Sequence, residues 1–215
     1  MEQYALQMAQ YQKSEGHRVV FVVYPASELE RQCQLSKIET MALKSDDLIG
    51  VSAFWFKHSV GIFRSRFQVV HLHSTQEIGK IFIPRMFLHF VSSQKPKVIL
   101  QIHLWINHRK KDLFHKTLYT IVDEIWCSSQ PARDSILENF PVAENKVKVI
   151  NYGRPVKAIE KSFLTRDQAR EQLRIPLGKI VFGTVSRIEE SKGIRELISA
   201  CLRFFERHRD IHLAI

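Results

Sequence analysis

The sequence predicts an α/β protein built on a parallel sheet. Three observations predict it. Short Val- and Ile-rich runs recur along the chain, and several are apolar on both faces, as strands buried inside a parallel sheet are. Stretches with helical apolar spacing lie between them. The chain has 215 residues, 45% of them hydrophobic and 25% charged, which is enough to bury one core and part of another and excludes collagen-like, low-complexity and disordered classes.

In chain order, a helix is predicted over Gln3–Ser14 and stopped by Gly16. The strand Val19–Tyr24 follows it, then strands at Leu48–Ser52, Val69–His73, Val98–His103 and Ile125–Ser128. Ser128 and Ser129 supply an N-cap for a helix over Pro131–Phe140, with Ile136 and Phe140 four apart on one face. After the strand Val147–Asn151 comes a polar, charged stretch containing Pro155, then a short helix at Thr165–Leu173. The strand Ile180–Val185 leads to the helix Ser191–His208, whose Ile194, Leu197, Ile198, Cys201, Leu202 and Phe205 form one stripe, and His212–Ile215 is the last strand. The expected organisation is a first domain over 1–155, a linker over 156–175 and the beginning of a second domain over 176–215. No strand precedes the first helix, whereas a doubly wound domain opens on one, so the chain is expected to begin inside a fold. The second unit, with strand, helix and strand, cannot bury both sheet faces alone.

Net charge is +10, and its distribution is uneven. Residues 51–116 hold 11 Lys/Arg against 2 Asp/Glu, together with eight Phe, Trp55, Trp105 and seven of the ten His. Such a block suits a polyanion (lipid head groups, nucleic acid or phosphorylated ligands) or is a solvated face over an aromatic core. The longest uncharged stretch, Val98–His108, has eleven residues, against roughly 20 for a membrane-spanning helix. The first 17 residues lack the apolar core of a signal peptide. Cys33, Cys127 and Cys201 are widely spaced and fit a reducing compartment rather than a disulfide or zinc framework.

Four constellations carry chemistry. His71-Leu72-His73-Ser74 closes a strand, with both histidines on one face because side chains alternate. They can hydrogen-bond a polar ligand or be satisfied structural residues, and no third metal ligand has convincing spacing. Gln101-Ile102-His103 ends the next strand, and His103 stands beside His73 if the two strands are neighbours. Asn151-Tyr152-Gly153 closes a strand before the linker, where Gly153 supplies a turn or hinge. Arg187 leaves a strand end and Lys192 sits at a helix entrance, an arrangement that suits a diphosphate or is a surface loop with two solvated cations. No Gly-rich dinucleotide fingerprint, P-loop, HExxH, GxSxG or CxxC pair is present.

The ordered series resembles the retaining, nucleotide-sugar-dependent glycosyltransferases of family 4, which have two Rossmann-like domains in the arrangement called GT-B. Gly16-His17-Arg18-Val19, Val70-His71-Leu72-His73, Val98–His103, Ile125–Ser129 with Arg133, Lys148–Gly153, and Gly183–Gly193 with Leu197-Ile198-Ser199-Ala200 each resemble a family motif. The last is the most specific. Two positions depart from the pattern: Ser186 stands where the family usually has Gly, and Tyr152 interrupts an Asn-Gly pair. The resemblance implies a hexosyltransferase-type enzyme, here a fragment truncated at both ends, in polysaccharide or lipopolysaccharide biosynthesis. It assigns the donor diphosphate to Arg187 and Lys192, a catalytic place near the transferred sugar to His103, the acceptor side of the cleft to His73 and Ser74, and the hinge to Gly153. It implies a nucleoside-diphosphate sugar as donor substrate, a glycan or lipid-linked acceptor, no metal and no other cofactor. The expected location is cytoplasmic, peripheral at the inner face of a membrane, with Phe54–Lys57 through Arg66 and Trp105–Lys111 meeting anionic lipid. The alternatives are a basic, aromatic nucleic-acid-binding module, which lacks any RNA- or DNA-binding signature, and a non-catalytic remnant that binds an acceptor or partner.

Overall fold

A computed structural model of the chain describes residues 2–44, 67–91, 96–153, 156 and 163–215. The predicted strand Leu48–Ser52 and the aromatic run Phe54–Lys57 through Arg66 lie outside the described residues. The chain divides into two compact units, Met1–Tyr152 and Gly153–Ile215.

The first unit opens with α1 (Glu2–Ser14), which buries Ala5, Leu6 and Ala9. Gly16 ends it in the left-handed region, φ +87, while His17 N–H reaches Gln12 C=O at 3.1 Å and Gly16 N–H reaches Lys13 C=O at 3.0 Å, so the last carbonyls are satisfied. β1 (Val20–Val23) and β2 (Glu39–Ala42) pair in parallel and are connected through α2 (Glu28–Leu35), which Ser27 caps by accepting from Glu30 N–H. Leu6, Ala9, Cys33 and Ile38 form a small core under this pair.

The main sheet contains β3 (Val69–Leu72), β4 (Lys97–Ile102), β5 (Glu124–Cys127) and β6 (Val147–Val149), all parallel and in that spatial order. The crossovers carry α3 (Glu77–Val91), α4 (Leu113–Tyr119) and α5 (Gln130–Asn139). α4 and α5 begin on polar caps, with Asp112 accepting from His115 N–H and Ser129 from Ala132 N–H. The register separates the two faces. Leu72, Val98, Leu100, Ile102, Ile125, Cys127 and Val147 point into one core with Ile78, Ile81, Tyr119, Ile136 and Phe140 from the helices. His71 lies opposite Ile99, Ile99 opposite Glu124, Gln101 opposite Trp126, and Trp126 opposite Lys148, so the other face is polar and aromatic.

The second unit holds α6 (Arg166–Gln172), β7 (Ile180–Gly183), α7 (Ile194–Phe205) and β8 (Ile211–Ala214), with β7 and β8 parallel. Thr165 and Gln168 form a reciprocal capping box on α6. Arg170 is buried and donates to the carbonyls of Pro176 (2.9 Å), Leu177 (2.6 Å) and Lys179 (2.9 Å), tying α6 to the entry of β7. The stretch read as linker from sequence therefore contains a helix bonded into the second unit.

Candidate functional site

The polar face of the main sheet is graded along the strands. At the strand starts, Glu124 Oε1 accepts from Lys97 Nζ and Lys148 Nζ, each at 2.6 Å, and Glu124 Oε2 accepts from Trp126 Nε1 at 2.9 Å. These bonds hold the Glu124 carboxyl down to about 2. Toward the strand ends the ions give way to rings. His71 stacks on His73 with centroids 4.4 Å apart, and Trp126 meets His71 edge-on at 5.2 Å. His73 stacks on His103 at 5.4 Å. Tyr152 stacks on His103 at 5.8 Å, while Tyr4 from α1 contacts Tyr152 at 4.5 Å and His103 at 5.6 Å.

The rings are also hydrogen-bonded in series. His73 Nδ1 lies 3.1 Å from His103 Nε2, and His103 Nδ1 lies 2.7 Å from the Tyr152 hydroxyl. Burial pushes the pKa of His71 down to about 4 and that of His73 down to about 3, with the neighbouring imidazoles adding to the shift at His73. Burial lowers His103 as well and raises the Tyr152 phenol. At neutral pH the three imidazoles are uncharged, and each offers one donor and one acceptor. Such a row can engage hydroxyl or phosphate oxygens by hydrogen bonding rather than by charge. His71 Nε2 and both amide atoms of Gln101 are buried beside this row without a partner of good hydrogen-bond geometry.

The turn from β3 into α3 is fixed by Glu77. Its Oε2 accepts from the backbone N–H of His73 at 3.0 Å and of Ser74 at 3.3 Å, while Ser74 Oγ accepts from Gln76 N–H at 3.3 Å. Burial raises the Glu77 pKa, and the two N–H groups oppose that rise. Ser74 is thus engaged in its own turn, and through Glu77 that turn sets the backbone of His73.

The remaining predicted residues fall in the second unit. Gly153 is its first residue, with a backbone that does not need glycine and open space where a Cβ would stand. Arg187 is exposed and paired with Glu189 at 2.8 Å. Lys192 closes a 3-10 turn (Glu190–Lys192) ahead of Gly193, whose φ of +65 begins α7 with no side chain capping it. Among the described residues no group of three or more His, Cys, Asp and Glu side chains could hold a metal ion. No helix among them is long and apolar enough to cross a membrane.

The structure brings His73 and His103 together, as neighbouring strands require. It adds Tyr4 and Trp126, together with Gln101 and Tyr152, which the sequence motifs contain beside His103 and Gly153 but to which no role was given. For Gln101 and Trp126 a signal existed in strand parity: counting by twos from His103 reaches Gln101, and counting from Glu124 reaches Trp126, whereas Tyr152 lies beyond the end of β6. For Tyr4 the sequence carried no signal.

A parallel α/β architecture with polar groups gathered at strand ends defines a Rossmann-like protein, and solved structures specify which kind. A glycosyltransferase from Rickettsia africae superposes with a TM-score of 0.77 at 16% identity, covering 96% of this chain and 54% of that one. HepE of Anabaena, solved with UDP and glucose, gives 0.71 at 13% identity, covering 100% and 57%. MurG of Acinetobacter baumannii gives 0.53 at 10% identity, covering 99% and 61%. The fold is that of the GT-B glycosyltransferases. The chain spans little more than half the length of the first two. The model of Glycosyltransferase Family 4 matches residues 1–156, and the chain belongs to that family. No curated protein matches the sequence.

Proposed function

We propose that residues 1–152 form the acceptor-side domain of a glycosyltransferase and that residues 153–215 belong to its donor side. It moves a hexose from a nucleoside-diphosphate sugar to a hydroxyl of a glycan or lipid-linked acceptor, with retention of configuration. The observation that carries this reading is the uncharged His73–His103 pair at the ends of adjacent parallel strands, within the residues that match the family. HepE was solved with UDP, with UDP-glucose, and with UDP and glucose, which supports a uridine diphosphate sugar as donor. In the transfer, the acceptor oxygen bonds to the anomeric carbon as the bond from that carbon to the β-phosphate oxygen breaks. The acceptor proton passes to the departing phosphate. Arg187 and Lys192 stabilise the charge that develops there, His103 acts through His73, which orients sugar or acceptor hydroxyls, Ser74 shapes the turn that carries His73, and Gly153 is the hinge between domains. The cations take the place a metal would fill, so a chelator leaves turnover unchanged.

The test is calorimetric titration with UDP and UDP-sugars, followed by an assay of UDP release and the anomeric configuration of the product. Binding is expected, weakened by Arg187→Ala by about 2 kcal/mol, roughly thirtyfold, for one charge-assisted phosphate contact. Equal affinity in wild type and variant would remove Arg187 from the site, and an inverted product would overturn retention. We also place an anionic membrane surface among the partners, on the exposed basic and apolar segment from Leu104 to Lys116.

A further inference from the structure

Both ring nitrogens of His103 are occupied, Nε2 by His73 and Nδ1 by Tyr152. A neutral imidazole carries one N–H, so only two proton orders satisfy the series. In one, Tyr152 donates its hydroxyl proton to Nδ1 of His103, His103 donates from Nε2 to Nδ1 of His73, and His73 keeps its own proton on Nε2. In the other, every donor and acceptor is reversed. The chemistry of the groups separates them. A phenol, with a pKa of about 10, is a far stronger acid than a neutral imidazole N–H, and an imidazole nitrogen is the better acceptor.

We propose that Tyr152 is a positioning residue: its hydroxyl, donating to His103 Nδ1, fixes one proton order along Tyr152–His103–His73 and makes His73 Nε2 a hydrogen-bond donor toward substrate hydroxyl or phosphate oxygens. Tyr4, packed against both Tyr152 and His103, holds the phenol in place. The residue that departs from the family's Asn-Gly pattern thereby acquires a role of its own. The group that meets ligand is His73, at the far end of the series, while His103 serves as the relay between it and the phenol. This inference rests on the transferase reading only for what the donor meets; the proton order is a property of the free chain.

The experiment is long-range 15N–1H NMR of the histidine side chains in the 215-residue chain and in Tyr152→Phe at neutral pH. In the wild type His103 and His73 are both expected as Nε2–H tautomers, with a through-bond coupling between the Tyr152 hydroxyl proton and His103 Nδ1. In Tyr152→Phe both histidines are expected to populate the Nδ1–H form. His103 protonated on Nδ1 in the wild type, or tautomers unchanged in the variant, would overturn the proposal. The wild-type coupling decides the matter if the variant fails to fold. A chain that shows the proposed order but binds no UDP-sugar would retain this inference and lose the transferase reading.

Discussion

Burying three imidazoles beside one another has a consequence for stability that belongs to the individual residues. His71 is held to about 4 and His73 to about 3, against an ordinary value near 6.5. The folded state favours their neutral forms, so as pH falls below about 6.5 the unfolded chain takes up protons first. The stabilisation is complete above that pH and is lost as pH drops toward the folded values. Each histidine sets a limiting slope of about 1.4 kcal/mol per pH unit. The urea midpoint is therefore expected to fall steadily between pH 6.5 and 5, above the range where Glu124 and Glu28 titrate in the unfolded chain. Glu77, raised by burial, acts in the opposite sense, so the comparison to make is with His73→Gln, which is expected to flatten the slope by up to one proton. An equal slope in that variant would mean that His73 does not titrate between the two states. The same residues show what part of the site could be read without coordinates. His73 and His103 meet because adjacent parallel strands place their ends together, and strand ends are visible in the sequence. Their bond to Tyr152, 49 positions from His103, depends on which strand lies two places across the sheet, and strand order leaves no mark on local sequence.

Elements were legible in proportion to how strongly one force shaped them. The strands at 69–72, 97–102, 124–127 and 147–149 each turn Val, Ile, Leu or Cys side chains into one core, so their apolar positions stand out. β2 reads Glu-Thr-Met-Ala, a strand without an apolar run that pairs with β1 among the described residues. α3 is apolar around most of its circumference and contains Pro84, so neither helical periodicity nor absence of proline marks it. α2 and α4 are short, and their polar faces outweigh the few residues they bury. α6 was expected as a short helix at Thr165–Leu173, but its attachment was not, because a buried arginine looks like a solvated one in sequence. That attachment makes a prediction. Replacing Arg170 with Ala leaves three carbonyls without their donor at the start of β7, at a cost of about 3 kcal/mol. Hydrogen exchange is expected to accelerate over 166–183 in that variant and to remain unchanged in the main sheet. Unchanged protection over 166–183 would show the guanidinium to be dispensable.

The whole molecule carries a net charge of +10, and part of that charge surrounds apolar side chains that nothing covers in the described structure. Leu104, Trp105, Leu113 and Phe114 are between 64% and 80% exposed on the segment that leaves β4 and enters α4. Arg109 and Lys116 are exposed beside them, whereas Lys110 turns inward, donating to Thr75 and lying over the Phe140 ring. Exposed aromatic and aliphatic groups cost little at a lipid interface, where the rings sit at head-group depth and the cations face lipid phosphates. The chain is therefore expected to sediment with phosphatidylglycerol vesicles at low salt, to remain in solution with phosphatidylcholine vesicles, and to be released as ionic strength rises and screens the charges. Each basic residue near an anionic surface contributes about 1 kcal/mol, so neutralising Arg109 and Lys116 together is expected to weaken binding by about 2 kcal/mol, roughly thirtyfold. Trp105→Ala distinguishes insertion from simple adsorption: it is expected to reduce binding at low salt and to diminish the blue shift of tryptophan emission that vesicles produce. Binding that is insensitive to both changes would place the contact elsewhere. Failure to bind anionic vesicles at low salt would remove the membrane from the proposed partners and leave the acceptor to be sought among soluble glycans.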